Sequence, residues 1–242
     1  MNRAWPSQAF RGDDSLSSSR VEQRRGHYAE RITNAFGLLL LLVVATYVLA
    51  SLTHYSGWGA VAITAVACLS AVVAFGSAGV GASIVRAGAG VGLVSVGLAA
   101  VAAASGDSAF LAAGALIEVV LLVAATFTVL RSVLTESTVN FRTILGAISV
   151  YMVFGLLFTS LYVIIDRLQS GAFFINETGS HTGDYIFFSF TTLTTTGYGN
   201  LVPAGQPGKM FAGLEMLLGQ IFLVTLIAGL VSLWRPRRAR LD

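Results

Sequence analysis

Charge is what this 242-residue chain has least of: Asp, Glu, Lys and Arg together make up 11% of it, against 55% hydrophobic residues. A soluble domain of this length carries a far more charged surface, so the composition, with a mean hydropathy of +0.76, places the chain in a membrane. Cysteine is nearly absent. Cys68 stands alone, which excludes an intrachain disulfide, and its apolar neighbours mark it as a small buried side chain. No basic stripe interleaves with aromatics, so the formal charge of +3 does not point to nucleic acid; it reflects arginines gathered towards the chain ends. Residues 1–32 lack the apolar core of a cleaved signal peptide. Glycine is plentiful, yet Gly76, Gly79, Gly81, Gly88, Gly90 and Gly92 never take the dinucleotide-binding spacing and follow no strand. Close helix packing through small residues explains them better.

Long apolar runs are what the chain does have. Six of them meet or approach the roughly 20 residues that cross a bilayer core: Ile32–Leu52, Trp58–Phe75, Ala87–Ser105, Ser108–Leu130, Ile144–Ile165 and Lys209–Trp234. The fold class expected is therefore an all-α membrane protein. With both ends on the cytoplasmic side, only Arg167 and Lys209 of the 15 basic residues fall in outer loops, a clear positive-inside bias. The same topology puts Asp107, Asp166, Glu177 and Asp184 outside.

Between the fifth and sixth runs lies Thr194-Thr195-Thr196-Gly197-Tyr198-Gly199-Asn200. Glycines on either side of a tyrosine permit backbone conformations closed to other residues, so successive carbonyls can turn towards one axis. Bare carbonyls at membrane depth are tolerable only where they line an ion or water path. Upstream, Asp184 to Leu193 reads as a short helix rich in aromatics, with Asp184 or Thr182 as its N-cap. The negative C-terminal end of that helix favours a nearby cation.

These residues closely resemble the selectivity filter of potassium channels, whose common form is Thr-Val-Gly-Tyr-Gly-Asp. Thr196 stands in place of the valine and Asn200 in place of the aspartate. The resemblance is specific over Tyr185–Pro203, extends over Ile144–Trp234, and is only general before that. Among such channels the chain is similar to bacterial six-span, single-pore-loop forms. The resemblance implies a homotetramer in a lipid bilayer, passing K⁺ as permeant ion with no cofactor, no nucleic-acid partner and no enzyme chemistry. It implies that the Thr195 hydroxyl and the carbonyls of Thr195, Thr196, Gly197 and Tyr198 coordinate K⁺, with Gly199 completing the ion-binding strand and Tyr198 bracing it from the side. Thr191, Thr194, Asn200 and Glu215 would support the filter. Gly219 falls where the family's inner helix bends, although a glycine there also permits close packing. Gln220, Leu223, Ile227 and Val231 follow at helical spacing as candidates for the cavity wall and inner constriction.

The expected organisation is a cytoplasmic segment over 1–31, partly disordered or an interfacial helix; a four-helix membrane unit over 32–130; a cytoplasmic linker over 131–143; a pore domain over 144–234; and a basic cytoplasmic tail over 235–242. Localisation is expected in the plasma (inner) membrane, multi-pass. Tyr151, Phe154, Phe158 and Tyr162 are expected to face lipid and the first four spans. The fourth run carries no arginine ladder, so steep voltage dependence is not expected. Glu118 and Glu215 lie inside apolar runs and each requires a partner: Thr191 or Thr194 for Glu215, and Arg86 or a polar group on a neighbouring span for Glu118. Other readings are a weakly selective cation pore, a potassium transporter subunit and a non-conducting membrane scaffold.

Overall fold

The computed structural model describes residues 36–50, 52, 57–135, 141–175 and 181–233. They form seven helices: α1 (Phe36–Ala50), α2 (Gly57–Ser77), α3 (Ala82–Ser105), α4 (Ser108–Leu134), α5 (Phe141–Leu168), α6 (Thr182–Leu193) and α7 (Gln206–Leu233). Among the described residues the β pairing is confined to an isolated bridge between Phe174 and Pro203. Five helices, α2 to α5 and α7, are long and apolar enough to cross a membrane. The chain is thus an all-helical, multi-pass membrane protein. Of the first apolar run, α1 and Leu52 are described; residues 32–35 and 51 lie outside the described residues.

Turn chemistry sets the boundaries. Gly106, at φ +73°, closes α3 by donating its N–H to Ala102 O, and Asp107 starts α4 by accepting the Ala109 N–H at 2.8 Å. The sequence places the start of the third span at Ala87, but α3 begins at Ala82 and takes in Arg86. Arg86 is tolerated because it sits exposed in the first turn, its Nε directed at Ala82 O on its own helix. Helix α4 runs on past Leu130 to Leu134, and α5 begins at Phe141, before Ile144.

Small residues bring α2, α3 and α4 together, as the glycine content suggests. A Cβ on Gly88 would meet the Phe75 ring at 2.9 Å, and one on Gly114 would meet Ser95 O at 3.2 Å. The Ser95 hydroxyl donates to Gly114 O across the same contact. One core joins Phe36, Leu39 and Val43 of α1 to α2, α4 and α5 through Ala67, Ala71, Leu122, Val129, Val150 and Val153. Lipid is as apolar as these side chains, so such contacts hold by close packing more than by expelling water. A second, aromatic core of Tyr162, Phe173, Phe174, Tyr185 and Phe188 clamps α6 between α5 and the loop that follows α5. That clamp positions the site.

Candidate functional site

The short helix α6 starts at Thr182, two residues before its polar signal Asp184. His181 occupies the N-cap, and Asp184 acts from the third helical position, accepting the His181 N–H at 2.8 Å. The cap expected at Asp184 or Thr182 therefore sits one turn edge earlier, with Asp184 as the reciprocal acceptor. On the opposite face Gly155 of α5 makes room for the Phe190 ring, which a Cβ would meet at 2.7 Å.

At the C-terminus of α6 the chain reverses direction and holds itself there. Thr195 N–H donates to Thr192 O at 2.9 Å, while the Thr196 and Gly197 N–H groups both reach Thr191 O, at 2.8 and 3.1 Å. Every second residue of the strand then has positive φ: Thr195 at 57°, Gly197 at 51° and Gly199 at 79°. Thr196 and Tyr198 between them do not. Alternating the sign of φ turns successive peptide planes the same way, so the carbonyls collect along one side of the strand. Among the described residues no hydrogen bond is accepted by the carbonyls of Thr195 to Gly199. A β-branched threonine in the left-handed region costs on the order of 1–3 kcal/mol and persists only where its surroundings impose it.

Side chains around the strand pack back towards α6. Tyr198 lies over Phe187 of α6, ring centroids 5.8 Å apart and planes 16° from parallel. The Thr196 and Thr194 hydroxyls meet at 2.9 Å, so Thr196 is turned towards the helix end and not along the carbonyl row. Thr194 also donates to Phe190 O and Thr191 to Phe188 O. Asn200 is exposed. Beyond it the strand is pinned, with Ile175 N–H donating to Val202 O at 3.0 Å and Ala204 N–H to Phe173 O at 2.7 Å.

Glu215 of α7 is fully buried behind this assembly. Its Oε1 lies 2.6 Å from the Ser189 hydroxyl of α6 and its Oε2 2.5 Å from the Tyr162 hydroxyl of α5. Glu215 thus braces α6, but through Ser189 and Tyr162 and not through Thr191 or Thr194. Tyr162 and Tyr151 also depart from expectation: neither hydroxyl faces lipid. Tyr162 is completely buried, and Tyr151 donates to Leu193 O, the last carbonyl of α6, at 2.9 Å. A tyrosine tip inside an apolar span always requires a polar partner, and that requirement was the available signal for both.

The same Leu193 carbonyl explains Gly219. Helix α7 is continuous through Gly219, where a Cβ would sit 2.5 Å from Leu193 O and 2.9 Å from Leu193 Cδ1. Gln220, Leu223 and Ile227 follow on exposed positions of α7; the Val231 side chain lies outside the described residues. Among the described residues no group of three His, Cys, Asp or Glu side chains is placed to hold a metal. No curated protein and no solved structure matches the chain. Residues 147–235 match a family model described as ion channel, so the stretch that holds most of α5, with α6, the alternating strand and α7, is similar to ion channels.

Proposed function

We propose that the chain is one subunit of a homotetrameric, potassium-selective channel that conducts K⁺ passively through a pore lined by Thr195, Thr196, Gly197, Tyr198 and Gly199. The observation that carries this reading is the alternation of φ along that strand, which leaves a row of unbonded peptide oxygens to replace the water around a cation. One chain supplies one such strand, so closed cyclic symmetry is needed to surround an ion. The exposed apolar surface of α7, with Leu217 and Ile221 prominent, fits packing against further subunits and lipid. In this reading the chain crosses the plasma membrane six times, α1 belonging to the first span, with both ends cytoplasmic.

Reversal potentials in reconstituted bilayers under opposed K⁺ and Na⁺ gradients test it. The expected potential lies near the K⁺ equilibrium value; one near zero would favour a weakly selective cation pore, and one near the Na⁺ value would overturn the proposal. In the same bilayers Gly197→Ala, which forces a side chain into φ 51°, is expected to remove selective current.

Helix α4 contains no basic residue before Arg131 in its last turn. Gating energy is roughly 2.3 kcal/mol per charge per 100 mV, so the conductance–voltage relation is expected to be shallow. A curve as steep as that of arginine-rich sensors would sink this part of the proposal.

A further inference from the structure

Away from the strand proposed as the filter, Glu118 of α4 lines a partly enclosed chamber where five other helices, α1, α2, α3, α5 and α6, converge. The chamber has about 30 Å³ of space, and a single water or ion requires on the order of 10–15 Å³ of such space. Its polar wall is made of oxygen. Thr64 of α2 lines the chamber beside the carboxyl, the Ser160 hydroxyl of α5 lies 3.0 Å from Oε1, and Thr46, Thr159 and Thr182 complete the wall.

The described elements packed against Glu118 present hydroxyls and apolar groups. Helix α1 offers Thr46, α2 offers Thr64 with Cys68 nearby, α5 offers Thr159 and Ser160, and α6 offers Thr182. The contribution of α3 is the alanine wall at Ala99. Among the described residues no basic side chain lines the chamber. The Arg86 partnership allowed by the sequence is not formed, since that guanidinium lies exposed against its own helix. Ser160 itself is shared: its oxygen lies 3.1 Å from Leu156 O as well as 3.0 Å from Glu118. A hydroxyl has one hydrogen, so when it serves Leu156 the contact to Glu118 needs a cation or proton from elsewhere.

A route exists. A wider and more open vestibule of about 180 Å³, lined by Gly57, Asp107 and Arg167, shares Ala60, Ala99 and Leu111 with the chamber. Asp107 starts α4 and Arg167 lies in the last turn of α5, so the vestibule opens at the bundle end from which the chain enters α6.

We propose that the Glu118 chamber is a binding site for one small monovalent cation, a proton or an alkali ion, entering through this vestibule. A buried carboxylate without a counter-charge is far too costly to persist at this depth, and the space is large enough for a small ion, with room for about one water beside it. The site lies at the junction of the first helices with the pore unit, so its occupancy acts on the α4–α5 contact.

Infrared difference spectroscopy of the full chain in lipid tests the proposal without reference to current, so its failure is distinguishable from failure of the channel reading. With choline as the only added cation at neutral pH, the parent minus Glu118→Gln spectrum is expected to show one carboxylic acid band per chain, shifting in D₂O. Glu118→Asp, which keeps the acid and moves the band, identifies it independently if the glutamine variant fails to fold. Loss of the band when Na⁺ or K⁺ is added at constant pH assigns an alkali ion; persistence assigns the proton. An ionised carboxylate in choline alone would overturn the site, and an acid band that never exchanges in D₂O would overturn the open path.

Discussion

Gly219→Ala is expected to abolish conduction and to weaken the packing of the inner helix on the filter by about 3 kcal/mol or more per subunit, at or beyond the upper end of ordinary overpacking. The added methyl would stand 2.5 Å from Leu193 O and 2.9 Å from Leu193 Cδ1. Leu193 is no free end that can step aside. Its carbonyl also receives the Tyr151 hydroxyl, and the residues after it run directly into the strand that begins Thr194-Thr195. Displacing that carbonyl therefore displaces the base of the filter. Thermal stability of the detergent-solubilised assembly and K⁺ flux into vesicles read the two consequences. The double variant Gly219→Ala with Leu193→Ala separates packing from bending: truncating Leu193 removes the 2.9 Å contact but leaves the carbonyl, so flux is expected to stay lost. A Gly219→Ala channel with normal flux would show that this close approach does not hold the filter.

The strand proposed as the filter stood out in the sequence because its signal is local. Two glycines two residues apart, flanked by threonines and preceded by an aromatic helix, need no knowledge of the rest of the chain. The packing expected of the glycine-rich stretch holds at Gly88 and Gly92, where a Cβ would meet Phe75 and Cys68, but not at Gly76, Gly79 or Gly90, which have open space beside them. The partners of the buried acids were not legible. Ser189 and Tyr162 are separated from Glu215 by 26 and 53 positions, and Ser160 from Glu118 by 42. Such pairings are made by helix crossings that periodicity does not encode. The start of α3 was missed because hydropathy treats Arg86 as a break, whereas its long side chain reaches out along its own first turn.

Two helices meet at the back of α6 by distinct means. Helix α5 supplies two tyrosine hydroxyls and the Gly155 carbonyl, which lies 2.7 Å from the Ser189 hydroxyl. Helix α7 supplies a carboxyl and a gap where a side chain is missing. The left-handed Thr195 depends on this enclosure, because strain of that kind relaxes when its surroundings yield.

Glu215→Ala is expected to lower the stability of each subunit by about 2–5 kcal/mol, the range for emptying a large buried side chain, and to abolish K⁺ selectivity with it. Tyr162 would lose its acceptor, and an unsatisfied buried hydroxyl alone costs about 1–3 kcal/mol. Ser189 is less exposed to the change, since Gly155 O stands within 2.7 Å as a second acceptor. Glu215→Gln discriminates between a need for charge and a need for shape with hydrogen bonds. The glutamine carbonyl can accept from Tyr162, and its amide can donate to Ser189 while Ser189 donates to Gly155, so every polar atom keeps a partner. The glutamine variant is therefore expected to retain stability and selectivity near the parent. Melting temperatures of the purified assembly and K⁺/Na⁺ reversal potentials measure both. If glutamine proved as damaging as alanine, the carboxylate charge and not the bonded bridge between α5 and α6 would be what holds the filter.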